Sequence, residues 1–269
     1  MSTLPQCETL ELQLDQGVLH VTLNRPESRN AMSLQMVDEL RALLGEIRDD
    51  TEIRALVLRG AGGHFCAGGD IKDMAGARSQ AAKSDEDPFF ALNRAFGHLL
   101  SEAERAPQTL VAVLEGAVMG GGFGLACVSD IALSHGDAKF GLPETSLGIT
   151  PAQIAPFVVR RIGLTQTRRL ALTGHRFDGT EALRLGLVHE CVASAEALDQ
   201  ALNTTLERIR HCAPIASRMT KDLLLRVGNE PLDKLLDKAA QDFSAAIQGD
   251  EGQEGTMAFV QKRKPKWAN

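Results

Sequence analysis

The chain has 269 residues, 43% of them apolar and 24% charged, and a formal net charge of −6. That is enough for one large domain, or a domain with a smaller appendage, around a sizeable core. The negative balance argues against a general nucleic-acid or membrane surface, so an anionic ligand has to be met by locally placed Arg or Lys. The cysteines (Cys7, Cys66, Cys127, Cys191 and Cys212) are odd in number and irregularly spaced. They show neither a disulfide framework nor metal-ligand spacing and read as reduced thiols. Met1 to Gln16 contains acidic residues and lacks a basic segment followed by an apolar one, so no signal peptide and a cytoplasmic location are expected. The longest apolar run, Leu110 to Val128, is broken by Glu115 and rich in glycine, which suits a buried strand and helix rather than a membrane span.

In chain order, Val18 to Leu23 is β-branched and apolar and predicts a strand, ended by Arg25-Pro26. Ser33 opens an amphipathic helix with Met36, Val37, Leu40, Leu43, Leu44 and Ile47 on one side. Arg54 to Leu58 predicts a buried strand. Ala75 to Pro88 is polar and predicts a loop or short helix, and Phe89 to Arg105 a helix. Leu110 to Leu114 predicts a strand, Gly122 to Val128 a helix, and Ile131 to Ser134 a further strand. This alternation predicts an α/β fold with a parallel sheet and crossover helices. Beyond Pro151, helical patterns cover 166–173, 180–185, 196–211, 213–227 and 232–247, and only Leu187 to Val192 reads as a strand. The expected division is therefore a core over 1–195 and a helical region over 196–269.

Two glycine-rich loops carry the chemistry: His64-Phe65-Cys66-Ala67-Gly68-Gly69-Asp70-Ile71 and Glu115 to Gly124. Each follows a β-branched strand, and the second leads directly into a helix. Glycine there lets backbone approach a ligand with no Cβ in the way. Two such loops can aim two backbone N–H groups at one oxygen, which is how an oxyanion hole stabilises a carbonyl oxygen that gains charge. The competing reading is that these glycines only permit tight turns and close packing, and for Gly68 and Gly122 it weighs as heavily.

Taken in order, Asn24-Arg25-Pro26 with Asn30-Ala31, Phe65 to Ile71, Gly120-Gly121-Gly122, Cys127 to Ala132, Phe140-Gly141-Leu142-Pro143-Glu144 and Phe259 to Lys264 together resemble the enoyl-CoA hydratase/isomerase (crotonase) superfamily. The resemblance covers nearly the whole chain. It implies a spiral core of ββα units, a helical C-terminal trimerisation domain, a homotrimer or dimer of trimers, and an acyl-coenzyme A thioester as substrate, with no metal or redox cofactor. By position it implies an oxyanion hole from the N–H groups of Gly69 and Gly121. Ala67, Gly68, Asp70, Ile71 and Lys72 would line the coenzyme A channel, and Arg29 and Lys262 would meet phosphates.

The family's hydratases generally use two glutamates. The second matches Glu144; the first would stand at Gly124, which cannot move a proton. Glu144 is therefore expected to handle the proton at Cα alone. Something else must orient water for Cβ: Gln153, Thr145, Thr150 or a carboxylate of the substrate. Gly124, with Ala152-Gln153-Ile154-Ala155-Pro156 in place of a glycine-rich run, resembles the bacterial branch that hydrates branched glutaconyl-CoA thioesters in leucine and acyclic terpene catabolism. A substrate carboxylate is then expected to hold water in space left at Gly124, recognised by a cation such as Arg160 or His64. The rival readings are a one-glutamate enoyl-CoA isomerase and a silent acyl-CoA-binding subunit. Ser134, His135 and Asp137 hold the residue types of a hydrolase triad, but being adjacent in sequence does not create its geometry. The glycine run has neither P-loop nor dinucleotide spacing.

Overall fold

The computed structural model describes residues 4–70, 72–73, 75–76 and 87–268. A six-stranded sheet is built from β1 (Leu10–Asp15), β2 (Val18–Leu23), β3 (Ala55–Gly60), β4 (Thr109–Leu114), β6 (Ile131–His135) and β9 (Glu190–Val192), in that spatial order. β1 and β2 pair antiparallel and every other neighbour is parallel. A second, three-stranded sheet joins β5 (Ala117–Met119), β7 (Lys139–Gly141) and β8 (Arg176–Phe177) in the order β5-β7-β8. The chain is thus an α/β protein, as expected. β1 and the whole second sheet are not among the predicted strands; those of the second sheet, two or three residues long, are too short to show a period.

Strand side chains alternate between two cores, as the pleat requires. Leu56, Leu58, Leu110, Ala112 and Leu114 enter the larger core, beneath the helices α1 (Leu34–Ile47), α2 (Pro88–Glu104) and α3 (Gly121–Val128). Ala55, Val57, Val111, Val113 and Leu133 face the other way, against Leu198, Leu202 and Leu206 of α6 (Ala195–His211). Caps set where these helices begin. Ser33 Oγ accepts the Met36 N–H, Asp87 accepts from Phe89 and Phe90, and Ser194 Oγ accepts from Ala197.

α4 (Ala155–Thr173) starts eleven residues earlier than the helical pattern suggests, with Pro156 in its first turn. α5 (Gly179–Arg184), α7 (Pro214–Arg226), α8 (Leu232–Gln248) and α9 (Asp250–Val260) complete the fold. Helices α8 and α9 leave Leu232, Leu236, Phe243, Phe259 and Val260 exposed. Among the described residues, no helix is long and apolar enough to cross a membrane and no cluster of metal-ligating side chains is present.

Candidate active site

The two glycine loops run side by side because the segment after β3 pairs with the segment after β4. Phe65 N–H donates to Glu115 O at 2.8 Å, Cys66 N–H to Ala117 O at 2.8 Å, and Met119 N–H to Cys66 O at 2.9 Å. That close approach needs Gly122, where a Cβ would fall 2.7 Å from Cys66 O and 2.8 Å from Cys66 Cβ. Gly68 adopts φ +106°, and its carbonyl accepts the Met32 N–H at 2.7 Å. Both glycines therefore have an architectural explanation, the packing reading the sequence left open.

Gly69 is different. Met32 bonds to the residues on either side of it, through Gly68 O and the Asp70 N–H, so the Gly69 amide points away from that bridge. Gly121 is the first residue of α3, where an N–H has no partner within the helix and the positive end of the dipole lies. Neither amide meets an acceptor among the described residues.

Glu144 reaches the same place through the second sheet. β5 and β7 pair with Met119 opposite Gly141, and the Gly120 N–H donates to Gly141 O at 3.1 Å. Three residues past Gly141, Glu144 opens a 3-10 turn beside Gly120, where a Cβ would stand 2.9 Å from Glu144 Oε1. Gly120 sits at φ 47°, ψ −110°. An aromatic cluster locks this arrangement. Phe123 of α3 meets Phe140 and Phe177 edge-on at 6.3 and 6.0 Å between centroids, and the latter two stack at 5.5 Å. Glu144 is buried, and its Oε2 has no hydrogen-bond partner. Burial pushes its carboxyl above the ordinary range, only partly offset by its own backbone N–H.

A cavity of about 720 Å³ opens over these groups. Gly69, Gly121 and Glu144 line it together, with Met32, Phe96 and Ile154 among its apolar walls. The arrangement offers two unpaired N–H donors and one buried carboxyl with an unpaired oxygen to whatever enters. That set can bind a carbonyl oxygen and move a proton at a neighbouring carbon.

The other expected residues divide. Asp70 lines the cavity, but its carboxylate is held by Arg25 at 2.7 Å and by the Lys72 N–H at 2.8 Å. Burial pushes that carboxyl up, and the Arg25 guanidinium with the Lys72 N–H outweighs it, leaving it below the usual range. Ala67 donates its N–H to Arg29 O at 3.0 Å. Ala67, Gly68, Arg29 and Lys72 do not line the cavity, and the Arg29 and Lys72 side chains stand exposed. Ile71 lies outside the described residues, as does most of the polar stretch Ala75 to Pro88, though Ala75 and Asp87 from that stretch, with Phe89 and Phe90 just beyond it, line the cavity. Lys262, at φ 54° just past α9, is exposed and away from the cavity of its own chain.

Three expectations are corrected. The space at Gly124 is not open to water: a Cβ there would lie 3.3 Å from Ile154 Cγ1 and 3.3 Å from Leu100 Cδ1. His64 faces the loop rather than the cavity, its Nδ1 accepting the Ala117 N–H at 3.1 Å. Arg160 pairs with Glu104 at 2.9 Å over the Phe157 ring and does not line the cavity. Of the residues considered for holding water, Thr145 turns its hydroxyl to Ala171 O at 2.7 Å, while Thr150 and Gln153 line the cavity.

Asn30, to which the sequence assigns no role, braces the first loop. Fully buried at φ 55°, it accepts the Arg25 N–H and donates to Ala61 O and His64 O at 2.9 and 2.6 Å. A signal was present in the Asn-Ala pair just upstream of a helix cap, since asparagine is one of the few side chains at ease in a left-handed backbone.

The family model described as enoyl-CoA hydratase/isomerase matches residues 13–269. A probable enoyl-CoA hydratase of Mycobacterium bovis is 34% identical over 263 residues, covering 97% of this chain and 98% of that protein. The peroxisomal Delta(3,5)-Delta(2,4)-dienoyl-CoA isomerase of Arabidopsis thaliana is 31% identical, covering 99% of each. Among solved structures, Pseudomonas aeruginosa AtuE superposes with a TM-score of 0.94 at 68% identity, covering 97% of this chain and 100% of that one. An enoyl-CoA hydratase/isomerase from Marinobacter aquaeolei gives 0.95 at 62% identity over 98% and 100%. The chain therefore belongs to the enoyl-CoA hydratase/isomerase family and is an enzyme of hydratase or isomerase type.

Proposed function

We propose that the protein hydrates a branched glutaconyl-CoA thioester, of the kind met in acyclic terpene or leucine catabolism. The observation that supports this most is the convergence of two unpartnered amides, Gly69 and Gly121, and the buried carboxyl of Glu144, its Oε2 unpaired, on a single cavity. The thioester oxygen sits between the two N–H groups and gains charge as the enolate forms. One such donor is typically worth about 3 kcal/mol in the transition state. Glu144, whose carboxyl burial biases toward its protonated form, gives its proton to Cα while the oxygen of water bonds to Cβ. The proton that water loses passes to the distal carboxylate of the substrate and on to solvent, and solvent reprotonates Glu144. Water is held on the Gln153 side of the cavity, because Ile154 and Leu100 fill the place beside Gly124.

Ala67, Gly68, Asp70 and Lys72 meet the coenzyme A portion through their backbone, and Ile71 belongs to the same contact by its place in the motif. Arg29 and Lys262, the latter from a neighbouring subunit, meet the phosphates. The exposed apolar side chains of α8 and α9 are the surface a homotrimer or dimer of trimers would bury. No metal or redox cofactor is required.

The filled space at Gly124 also favours a second reading. Glu144 alone, moving a proton between carbons, makes an enoyl-CoA isomerase. Turnover of a glutaconyl-type thioester in heavy-oxygen water separates the two, since only hydration incorporates the label. Crotonyl-CoA is run alongside. Equal turnover of both substrates removes the glutaconyl assignment, and an unlabelled rearranged product establishes the isomerase.

A further inference from the structure

Helix α2 carries a glycine in mid-course, Gly97, where glycine costs about 1 kcal/mol relative to alanine. The reason lies across the cavity wall. A Cβ at Gly97 would overlap Gln153 Oε1 and fall 2.7 Å from Gln153 Cδ and from Arg94 Nη1. Gln153 therefore lies flat on the helix backbone beside Arg94, whose Nη1 donates to Gln153 Oε1 at 3.4 Å.

A guanidinium only donates, so this contact settles which way the amide faces. The oxygen turns to Arg94, and the NH2 group is left as a donor with no acceptor among the described residues. Gln153 lines the same cavity as Glu144. Arg94 is half-buried and has no carboxylate partner among the described residues.

The charge around the cavity makes this pair informative. Its described lining includes Asp70, Asp73, Asp87 and Glu144 and no Lys or Arg. Three of those carboxylates are already engaged. Asp70 pairs with Arg25, Asp73 accepts the Leu34 N–H at 2.6 Å, and Asp87 caps α2. An acyl group bearing a carboxylate of its own would be repelled from most of this wall. Only behind Gln153 does a guanidinium stand with no described carboxylate to neutralise it.

We infer that Gln153 and Arg94 form the subsite for a carboxylate at the distal end of the acyl group, with the Gln153 NH2 donating to it and Arg94 supplying the opposing charge. Gly97 is the glycine that lets the pair lie against α2. The inference rests on the acyl-thioester reading of the cavity and deepens it by naming what selects the acyl group.

Calorimetric titration of the intact protein with two saturated, unreactive thioesters, glutaryl-CoA and butyryl-CoA, tests it. Glutaryl-CoA should bind about 10-fold tighter or more, the ratio expected from a hydrogen bond to a charged group. That ratio should collapse toward unity in Arg94→Gln and Gln153→Leu and be partly kept in Arg94→Lys. Equal affinities in the unaltered protein, or a ratio that survives Arg94→Gln, overturn the inference. A merely structural brace would weaken both thioesters alike and leave the ratio standing, which is also an overturning result. If neither thioester binds, the acyl-CoA reading falls and this subsite with it. If hydration fails while the ratio and its loss in the variants hold, only the reaction assignment falls.

Discussion

Gly124 and Ile154 are matched across the wall of the cavity: a Cβ on Gly124 would stand 3.3 Å from Ile154 Cγ1 and 3.4 Å from its Cγ2. The position where a second glutamate would be expected is thus closed by hydrocarbon, with Leu100 sealing the other side. A glutamate side chain at 124 would have to displace that hydrocarbon.

Gly124→Glu should consequently fail to create a two-glutamate enzyme. Forcing a carboxylate into this apolar contact should cost about 3 kcal/mol of stability through overpacking and desolvation. Adding Ile154→Ala opens room, so the double variant should be more stable than the two separate losses add up to. Urea denaturation of the single and double variants measures this, and simple additivity would show that the two side chains are not coupled.

Glu144→Gln should lower turnover by about 10²- to 10⁴-fold, the usual contribution of a positioned acid or base. It should also abolish exchange of the α-hydrogen of a bound saturated acyl-CoA with deuterated water, followed by mass spectrometry. Retention of that exchange would place the proton transfer elsewhere.

Burial raises the Glu144 carboxyl above its ordinary 4.5 in the folded protein. The fold therefore binds this proton more tightly than the unfolded chain does. The carboxyl is tolerated best below the unfolded value, and stability is lost as pH rises from about there through the folded value. Glu144→Gln removes that loss. Its advantage in melting temperature over the unaltered protein should be absent below pH 4.5 and grow toward neutrality. Exchange of the α-hydrogen, which needs the ionised carboxylate, should rise over the same interval. A melting-temperature difference that does not change with pH would contradict the burial of this group.

Gly120 and Gly121 should respond differently to alanine. Gly120 has φ 47° and would place a Cβ 2.9 Å from Glu144 Oε1, so Gly120→Ala strains the backbone and displaces the carboxyl. Gly121 starts the helix, and the nearest atom its Cβ would meet is Phe96 Cζ, at 3.3 Å. Gly120→Ala should lower kcat by about 100-fold, and Gly121→Ala by much less, with the larger part of its effect on KM. Steady-state kinetics on one thioester ranks them, and the reverse order would remove Gly120 as the residue that spaces Glu144.

Asn30→Ala should destabilise the protein by about 2 kcal/mol, because it leaves two part-buried carbonyls and one part-buried N–H without partners. Asn30→Gly keeps the left-handed backbone but not the bonds, and should recover only a small part. Chemical denaturation gives both numbers, and a loss under 1 kcal/mol would show that water replaces the side chain.

The long elements were legible in the sequence because burial imposes a period on them. β2 carries the β-branched run at Val18–Leu23, and α1 shows its spaced apolar face behind the Ser33 cap. The short strands β5, β7 and β8 were not, since two or three residues carry no period, yet they are what sets Glu144 beside Gly120. Glycine content marked the two loops, and the ordered motifs marked the family and its candidate groups at Gly69, Gly121 and Glu144. Only the tertiary structure decided which glycines are architectural, that Ile154 closes the place at Gly124, that His64 and Arg160 are engaged elsewhere, and that Arg94 and Gln153 meet over Gly97. Each of these depends on residues far apart in the chain coming within a few ångströms. Composition and spacing record what a segment can form, but whether a polar group stays unpaired at a cavity depends on what the rest of the fold packs against it.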